Sequence, residues 1–401
     1  MEELMMTAQL TAGNLLLRMT DQEFEGAYVA RVWDPEVQGP SVVRIEKNGV
    51  WDISRAAPTL SSVLEAPAPA DFLRQAQGKR ICSVEDVLNN SWFEGRNRSK
   101  PWLLSPFDIQ VVKGAGVTFA KSMLERVIEE RALGNASEAA ALRDAIEDQI
   151  GDSLAALKPG SDEAENLKKH LIEIGLWSQY LEVGIGPDAE IFTKGAPLSS
   201  VGFGADVGVS EISTWNNPEP EIVLAVSSSG SIVGATLGND VNLRDIEGRS
   251  ALLLGRAKDN TASAGIGPWI RLFDQTFTER DIATSVVTLD VAGKDGFSLR
   301  AEARIEEISR SFSELVEQLM GSHHQYPDGA ALFLGTPFAP VDDRDEKGKG
   351  FTHHLGDVVT ISTPSIGSLC NTVNTSESCE PWSFGIGEFM KNLAQRGLQE
   401  V

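Results

Sequence analysis

Residues 215–245 read W-N-N-P-E-P-E-I-V-L-A-V-S-S-S-G-S-I-V-G-A-T-L-G-N-D-V-N-L-R-D. Two apolar runs separated by a Ser/Gly turn predict a β-hairpin. One strand covers residues 219–226, the turn 227–230 and the second strand 231–238. A four-residue loop sets Val226 opposite Ser231, which places Glu219 against Gly238 and Glu221 against Thr236. Side chains alternate along a strand, so Glu219 and Glu221 share a face, and Asp240, paired with residue 217, joins them. A one-residue slip would undo this convergence. Three carboxylates without His or Cys suit a hard divalent cation, Mg²⁺ or Mn²⁺. The cation relieves their mutual repulsion, and three protein ligands leave positions open for substrate oxygens. The competing reading is a solvated acidic strand edge.

The rest of the chain must position this hairpin. It has 401 residues, 35 Lys and Arg against 58 Asp and Glu, and a net charge of −23. That length predicts two or three domains. So acidic a chain repels nucleic-acid backbones and anionic membranes, and neither is expected as a partner. A small anionic substrate stays compatible, because one metal ion or one Arg reverses the local sign. Cys82, Cys370 and Cys379 form neither a disulfide framework nor a CxxC pair. Residues 1–10 carry two acids and no basic n-region, so no signal peptide is expected. Apolar runs are too short to span a bilayer. The expected location is cytoplasmic.

Short β-like runs at 27–33 and 41–46, a turn at 47–49 and a run at 50–53 predict a small β-rich N-terminal domain over 1–104. The Pro-rich stretch 66–70 reads as a linker or loop. Residues 105–401 form the second domain, with a helical block over 119–182. There, 119–133 is helical, with Met123, Val127 and Ile128 on one face. Residues 137–157 continue in the same style to Pro159-Gly160, and 161–180 is a further helix with Ser161 as N-cap. This block is expected to serve packing or dimerisation. Strands are predicted at 222–226, 232–237, 285–291, 331–334 and 358–361, and one amphipathic helix over 303–321. The fold class is α+β and β-rich.

The segments P-E-P-E-I-V-L-A-V, G-N-D-V-N-L-R-D-I-E-G and G-P-W resemble the fumarylacetoacetate hydrolase superfamily, over roughly residues 105–375. Further matches are I-F-T-K ending at Lys194, R-A-K ending at Lys258, Gly335-Thr336, and G-D-V-V-T-I with I-G-S-L-C-N-T-V. The resemblance implies a mixed β-sheet roll with short helices, usually a homodimer or homotetramer. It also implies that Glu219, Glu221 and Asp240 hold a divalent metal, usually Mg²⁺. Carbon–carbon hydrolases of the family carry G-x-N-Y-x-x-H-x-x-E, whose His-Glu pair activates a water. The corresponding run here is G-V-T-F-A-K-S-M-L-E over 116–125, with Ser122 in place of the His and Glu125 retained. A Ser without a partner is no general base near pH 7. The run is similar to the family's 2-keto-3-deoxy acid-sugar dehydratase branch, which converts 2-keto-3-deoxypentonates to 2-oxoglutarate semialdehyde.

That resemblance implies a small 2-keto acid substrate, deprotonated at C3 and losing its C4 hydroxyl. Glu125, Glu190 and Lys258 are the candidate catalytic groups. Ser122, Lys194, Arg244 and Thr336 are candidates for binding substrate or supporting the metal. The alternatives are an acylpyruvate or diketo-acid C–C hydrolase, and a metal-stabilised binding protein without catalysis. His323-His324 and His353-His354 are neighbours whose side chains point apart on a strand, so neither pair is expected to hold a metal. Gly202-Phe203-Gly204 lacks the third glycine and βα context of a dinucleotide loop and reads as a turn.

Overall fold

A computed structural model describes residues 25–143, 146 and 157–398. In chain order the described strands are β1 (Tyr28–Asp34), β2 (Gly39–Glu46), β3 (Gly49–Asp52), β4 (Lys79–Cys82), β5 (Trp102–Leu103), β6 (Val111–Gly116), β7 (Glu190–Gly195) and β8 (Asp206–Val209). They continue with β9 (Pro220–Val226), β10 (Ile232–Asp240), β11 (Ala264–Leu272), β12 (Val286–Ala292), β13 (Ser298–Arg304), β14 (Ala330–Phe333), β15 (Val358–Thr363) and β16 (Gly367–Thr375). The larger sheet runs β4-β3-β2-β1-β11-β10-β9-β14-β6-β7, with β5 on β1. The smaller one runs β13-β12-β15-β16-β8. Pairing is mostly antiparallel; β14 with β6 and β16 with β8 are parallel. The fold is thus β-rich α+β, as expected. The 104/105 boundary is crossed by a continuous sheet, because β1 hydrogen-bonds to β11.

Burial explains the unbroken apolar run of β9. Ile222, Leu224 and Val226 face the main core, which includes Leu289 and Ile361 of the smaller sheet. Val223 and Ala225 face the opposite way, onto Leu60, Val63, Leu64 and Leu73. A strand covered on both faces has no reason to alternate. The helical block has its own cluster, including Val127, Ile128, Leu171, Leu181 and Trp215.

The hairpin differs from expectation in a way that preserves its chemistry. Ser227 donates its amide to the Ser231 carbonyl at 2.9 Å, and Gly230 adopts φ +80°. The turn therefore holds one residue more than expected, with glycine taking the left-handed position. Val226 faces Ile232, and a bulge between Ile232 and Gly234 adds a second residue, so Glu221 faces Gly238 rather than Thr236. Asp240 lies across from Glu219, to whose carbonyl its amide donates at 3.0 Å. Two one-residue shifts restore parity, and the three carboxylates stay on one face.

Other expectations need correction. Residues 303–321 are not one helix. Ala303 and Arg304 are held in the β13 ladder against Val287 and Val286. A 3₁₀ turn follows at Ile305–Glu307, and only Phe312–Leu319 is α-helical, with the Ser311 hydroxyl accepting from the Glu314 amide. Residues 161–180 form two helices. Ser161 caps Asp162–Glu173 as expected, but Leu176 bonds back to the Leu171 carbonyl and closes that helix. Ser178 then caps Gln179–Ile185. The Pro-rich 66–70 stretch runs into a helix, Pro69–Gln75, where proline takes the first turn. The helix expected at 119–133 is Ala120–Arg131. Of that expected over 137–157, residues 136–143 are helical, and 144, 145 and 147–156 lie outside the described residues.

Gly238 sits where the hairpin packs most closely. A Cβ there would overlap Phe333 and Val223. Gly238→Ala is expected to cost about 1–3 kcal/mol, read as a lower urea midpoint at unchanged m-value.

Candidate metal and active site

The hairpin end brings Glu219, Glu221 and Asp240 together, with one oxygen of each within 4.8 Å of the others. All three are at most 2% exposed. Four buried cations surround the wider acid cluster. Lys258, closing the short helix Leu254–Lys258, donates to Glu219 at 2.5 Å and Asp240 at 3.1 Å. Lys194 on β7 pairs with Asp240 at 2.7 Å. Its other contacts are the Val241 carbonyl at 3.0 Å and the Lys258 carbonyl at 2.5 Å. The two carbonyls take two of its ammonium protons, and the ion pair steadies Asp240. Arg126 donates to the other Glu219 oxygen and pairs with Glu129 and with Glu247 at 3.2 Å. Arg244 pairs with Glu129 at 2.6 Å.

The charge balance bears on a metal. Glu129, Glu219, Glu221, Asp240 and Glu247 are buried with Arg126, Lys194, Arg244 and Lys258. Among these described groups five carboxylates face four cations, and one of the four, Arg244, is shared with Glu125, which Arg143 also pairs. Glu221 has no ion pair among the described residues; the Gly335 amide donates to it at 2.7 Å. Three hard oxygen donors with an uncompensated charge fit a small divalent cation such as Mg²⁺.

The electrostatics follow. Burial, then the Asp240 and Glu219 charges, push Glu221 well above the usual carboxylate range. Burial also works to raise Asp240, but Lys194 and Lys258 outweigh it and hold Asp240 below its ordinary value. Burial disfavours the Lys258 charge, yet Asp240, Glu219 and Glu247 together hold its ammonium well above the usual lysine value. Lys194 is lowered by burial, which Asp240 only partly offsets.

Glu190, at the start of β7, stands apart. Its carboxylate has no hydrogen-bond or ion-pair partner among the described residues, and burial, reinforced by Glu247, pushes it up to about 7. It faces Gly116 on β6, where any Cβ would collide with its carboxylate. The glycine opening the G-V-T-F run therefore makes room for this side chain.

The remaining candidates are committed elsewhere. Glu125 is gripped by Arg143 at 2.9 and 2.8 Å and by Arg244 at 3.0 Å. Burial raises Glu125, but these guanidiniums hold it below the ordinary glutamate value. It joins the triad only through Arg244, Glu129 and Arg126. Arg244 also donates to the Pro340 carbonyl at 3.0 Å and lies 4.3 Å from the Trp215 ring centre. Ser122 donates to the Phe119 carbonyl at 3.0 Å. Thr336 donates to the Phe338 carbonyl at 2.6 Å and follows Gly335, whose amide holds Glu221. Arg126, Glu129 and Glu247 escaped the sequence reading. The i,i+3 spacing of Arg126 and Glu129, on the helix that also carries Glu125, was the available signal. No histidine joins the acid cluster among the described residues. His353 is buried with Nδ1 3.2 Å from Asp357.

The family model for the fumarylacetoacetate (FAA) hydrolase C-terminal domain matches residues 163–374, more than half of the chain, so the protein belongs to this family. Two curated relatives are similar over part of their length. One is the probable 2-keto-3-deoxyxylonate dehydratase of Haloferax volcanii, 32% identical over 204 residues, covering 51% of this chain and 66% of that protein. The other is the 2-dehydro-3-deoxy-D-arabinonate dehydratase of Saccharolobus solfataricus, 29% identical over 184 residues, covering 46% and 58%. Both matches span less than two thirds of the relative. A solved 2-keto-3-deoxy-D-arabinonate dehydratase in its apo form shares the fold, with a TM-score of 0.56 at 20% identity, covering 87% of this chain and 99% of that one. The same fold, at TM-score 0.56 and 19% identity over the same shares, is seen in that enzyme's complex with magnesium and 2,5-dioxopentanoate. No described helix is long and apolar enough to cross a membrane.

The Glu190 environment has a measurable consequence. Its folded value lies above the ordinary 4.5, so its neutral form adds stability that is present below about 4.5 and lost as pH rises through about 7. In the metal-free protein, ¹³C NMR is expected to show this carboxyl titrating near 7. Glu190→Gln is expected to flatten the loss of stability across that window.

Proposed function

We propose that the protein is a Mg²⁺-dependent dehydratase of a 2-keto-3-deoxy sugar acid, a pentonate in chain length, yielding 2,5-dioxopentanoate. The observation that carries this reading is the buried Glu219–Glu221–Asp240 set with Lys258 against two of its members. The two partial relatives act on substrates of this class by name. Glu219, Glu221 and Asp240 are the groups to hold Mg²⁺, which supplies charge stabilisation for a 2-keto acid whose carbonyl gains electron density.

The chain's own residues divide the remaining work. Glu190 is the base for the C3 proton, since it alone of the three candidates has no ion pair among the described residues and is pushed up to about 7, chiefly by burial. Lys258 supplies fixed positive charge toward the developing enolate, because its ammonium is already held at this point. Glu125, held as an anion by two arginines, keeps Arg244 in place rather than taking a proton. Arg126 orients Glu219 and balances Glu129 and Glu247. Removal of the C3 proton expels the C4 hydroxyl, which leaves as water once protonated, and a C3–C4 double bond results. Transfer of a proton from C5 to C3 then gives the C4–C5 enol, and movement of its hydroxyl proton to C4 places the aldehyde at C5. The net change is loss of one water.

The C–C hydrolase alternative lacks its water-activating pair. Ser122 spends its hydroxyl proton on the Phe119 carbonyl, and Glu125 is tied up by Arg143 and Arg244.

The test is turnover of 2-keto-3-deoxypentonates with Mg²⁺, followed by the appearance of 2,5-dioxopentanoate. Release of pyruvate, or of an acid from acylpyruvates, would sink the reading. Mg²⁺ is expected to raise the thermal midpoint of the wild type. Asp240→Asn is expected to lose both that shift and the activity. Glu190→Gln should keep the shift and lower kcat by about 10²-fold or more.

A further inference from the structure

The hairpin ladder continues one rung past the carboxylates. Asn217 and Asn242 are direct partners, each donating its amide to the other's carbonyl at 3.1 Å. Alternation puts residues 217, 219 and 221 on one face with 242, 240 and 238, so both asparagines share the face of the acid triad. Both are 0% exposed. Among the described residues, neither Oδ1 nor Nδ2 of Asn242 has a hydrogen-bond partner, and Oδ1 of Asn217 has none. Nδ2 of Asn217 donates only to the adjacent Pro218 carbonyl, at 2.8 Å. Buried polar groups left unpaired are rare in native proteins and costly, and their cost needs a return.

The opposite direction along this face offers nothing polar to a ligand. Val223 and Ala225 belong to the apolar cluster that includes Phe333. The Thr236 hydroxyl is spent on the Gly267 carbonyl at 3.0 Å. Along the strands of this face, the hydrophilic direction away from the triad is therefore toward the two amides. Rungs on one face lie roughly 6.6 Å apart, twice the rise per residue. In a five-carbon 2-keto acid, three bonds of about 1.5 Å in extended zigzag carry C5 about 3.9 Å beyond C2, and its C–O bond adds about 1.4 Å. With hydrogen-bond length added, the far hydroxyls reach that rung.

We propose that Asn217 and Asn242 form the hydroxyl-recognising end of the site, taking up the C4–C5 hydroxyls of a 2-keto acid whose keto-carboxylate end lies at Glu219, Glu221 and Asp240. This inference rests on the 2-keto acid reading of the site and adds its specificity. A chain without those hydroxyls leaves the amides unpaired and is rejected for that reason.

The experiment uses the full chain loaded with Mg²⁺ and titration calorimetry with three ligands. Oxalate probes the metal end alone. 2-Oxopentanoate adds an apolar tail. 5-Hydroxy-2-oxopentanoate adds one hydroxyl and, without a C4 leaving group, is not dehydrated. The hydroxylated acid is expected to bind at least about tenfold tighter than its deoxy counterpart. Asn217→Leu and Asn242→Leu should bring that ratio near one and leave oxalate affinity within about twofold. Asn242→Leu should also raise the thermal midpoint, because an apolar isostere relieves two unpaired atoms. A merely structural asparagine would lower it. Equal affinity of the two keto acids for the wild type overturns the proposal without recourse to any variant, as does an unchanged ratio in both variants. Failure of all three ligands to bind the Mg²⁺-loaded protein overturns the underlying 2-keto acid reading instead.

Discussion

Burying like charges together is the constraint around which this molecule is arranged. Glu219, Glu221 and Asp240 share one face of one hairpin and are all but removed from water. In a medium of low polarity such a set is tolerable only with cations brought to it from elsewhere. The chain brings them from three places: Lys194 from β7, Arg126 from the helix Ala120–Arg131 and Lys258 from the helix Leu254–Lys258. Each of these elements is thereby tied to the hairpin by charge as well as by packing. The acids that steady the arginines, Glu125, Glu129 and Glu247, extend the same network outward.

This arrangement separates jobs among groups that look alike in composition. Glu125 and Glu190 are both glutamates close to the network. One is clamped between two guanidiniums and stays ionised. The other lacks a partner and is held near neutrality, where a carboxylate is most useful for moving protons. Lys194 and Lys258 differ likewise. Lys194 is tied to two carbonyls and pairs with Asp240, whereas Lys258 spans two candidate metal ligands. Environment, rather than residue type, sets the division.

Much of the architecture was legible from local pattern. The strands β1, β2, β9, β10, β12, β14 and β15 lie where alternating or apolar runs place them. Ser161 caps the helix it was expected to cap. The misreadings share a cause. Over 303–311 the apolar spacing suits a helix, but pairing with β12 holds the first residues extended. In the hairpin, a left-handed Gly230 and a bulge each insert one residue, and neither leaves a mark on the alternation of hydrophobic types. The network arginine Arg126 was overlooked because a charged residue on a helix is ordinarily a solvated one.

From the chain alone, the identity and shared face of the three carboxylates could be derived, because alternation along a strand is a local property that survives any even shift of register. The motifs around them were enough to place the chain in its family. Which cation meets which acid, which glutamate is left unpaired among the described residues, and that two asparagines lie buried beside the acids with side-chain amide atoms unpaired among those residues could not be derived. Those outcomes depend on segments far apart in sequence meeting in a water-poor interior, where distance and desolvation together set charge state and hydrogen bonding.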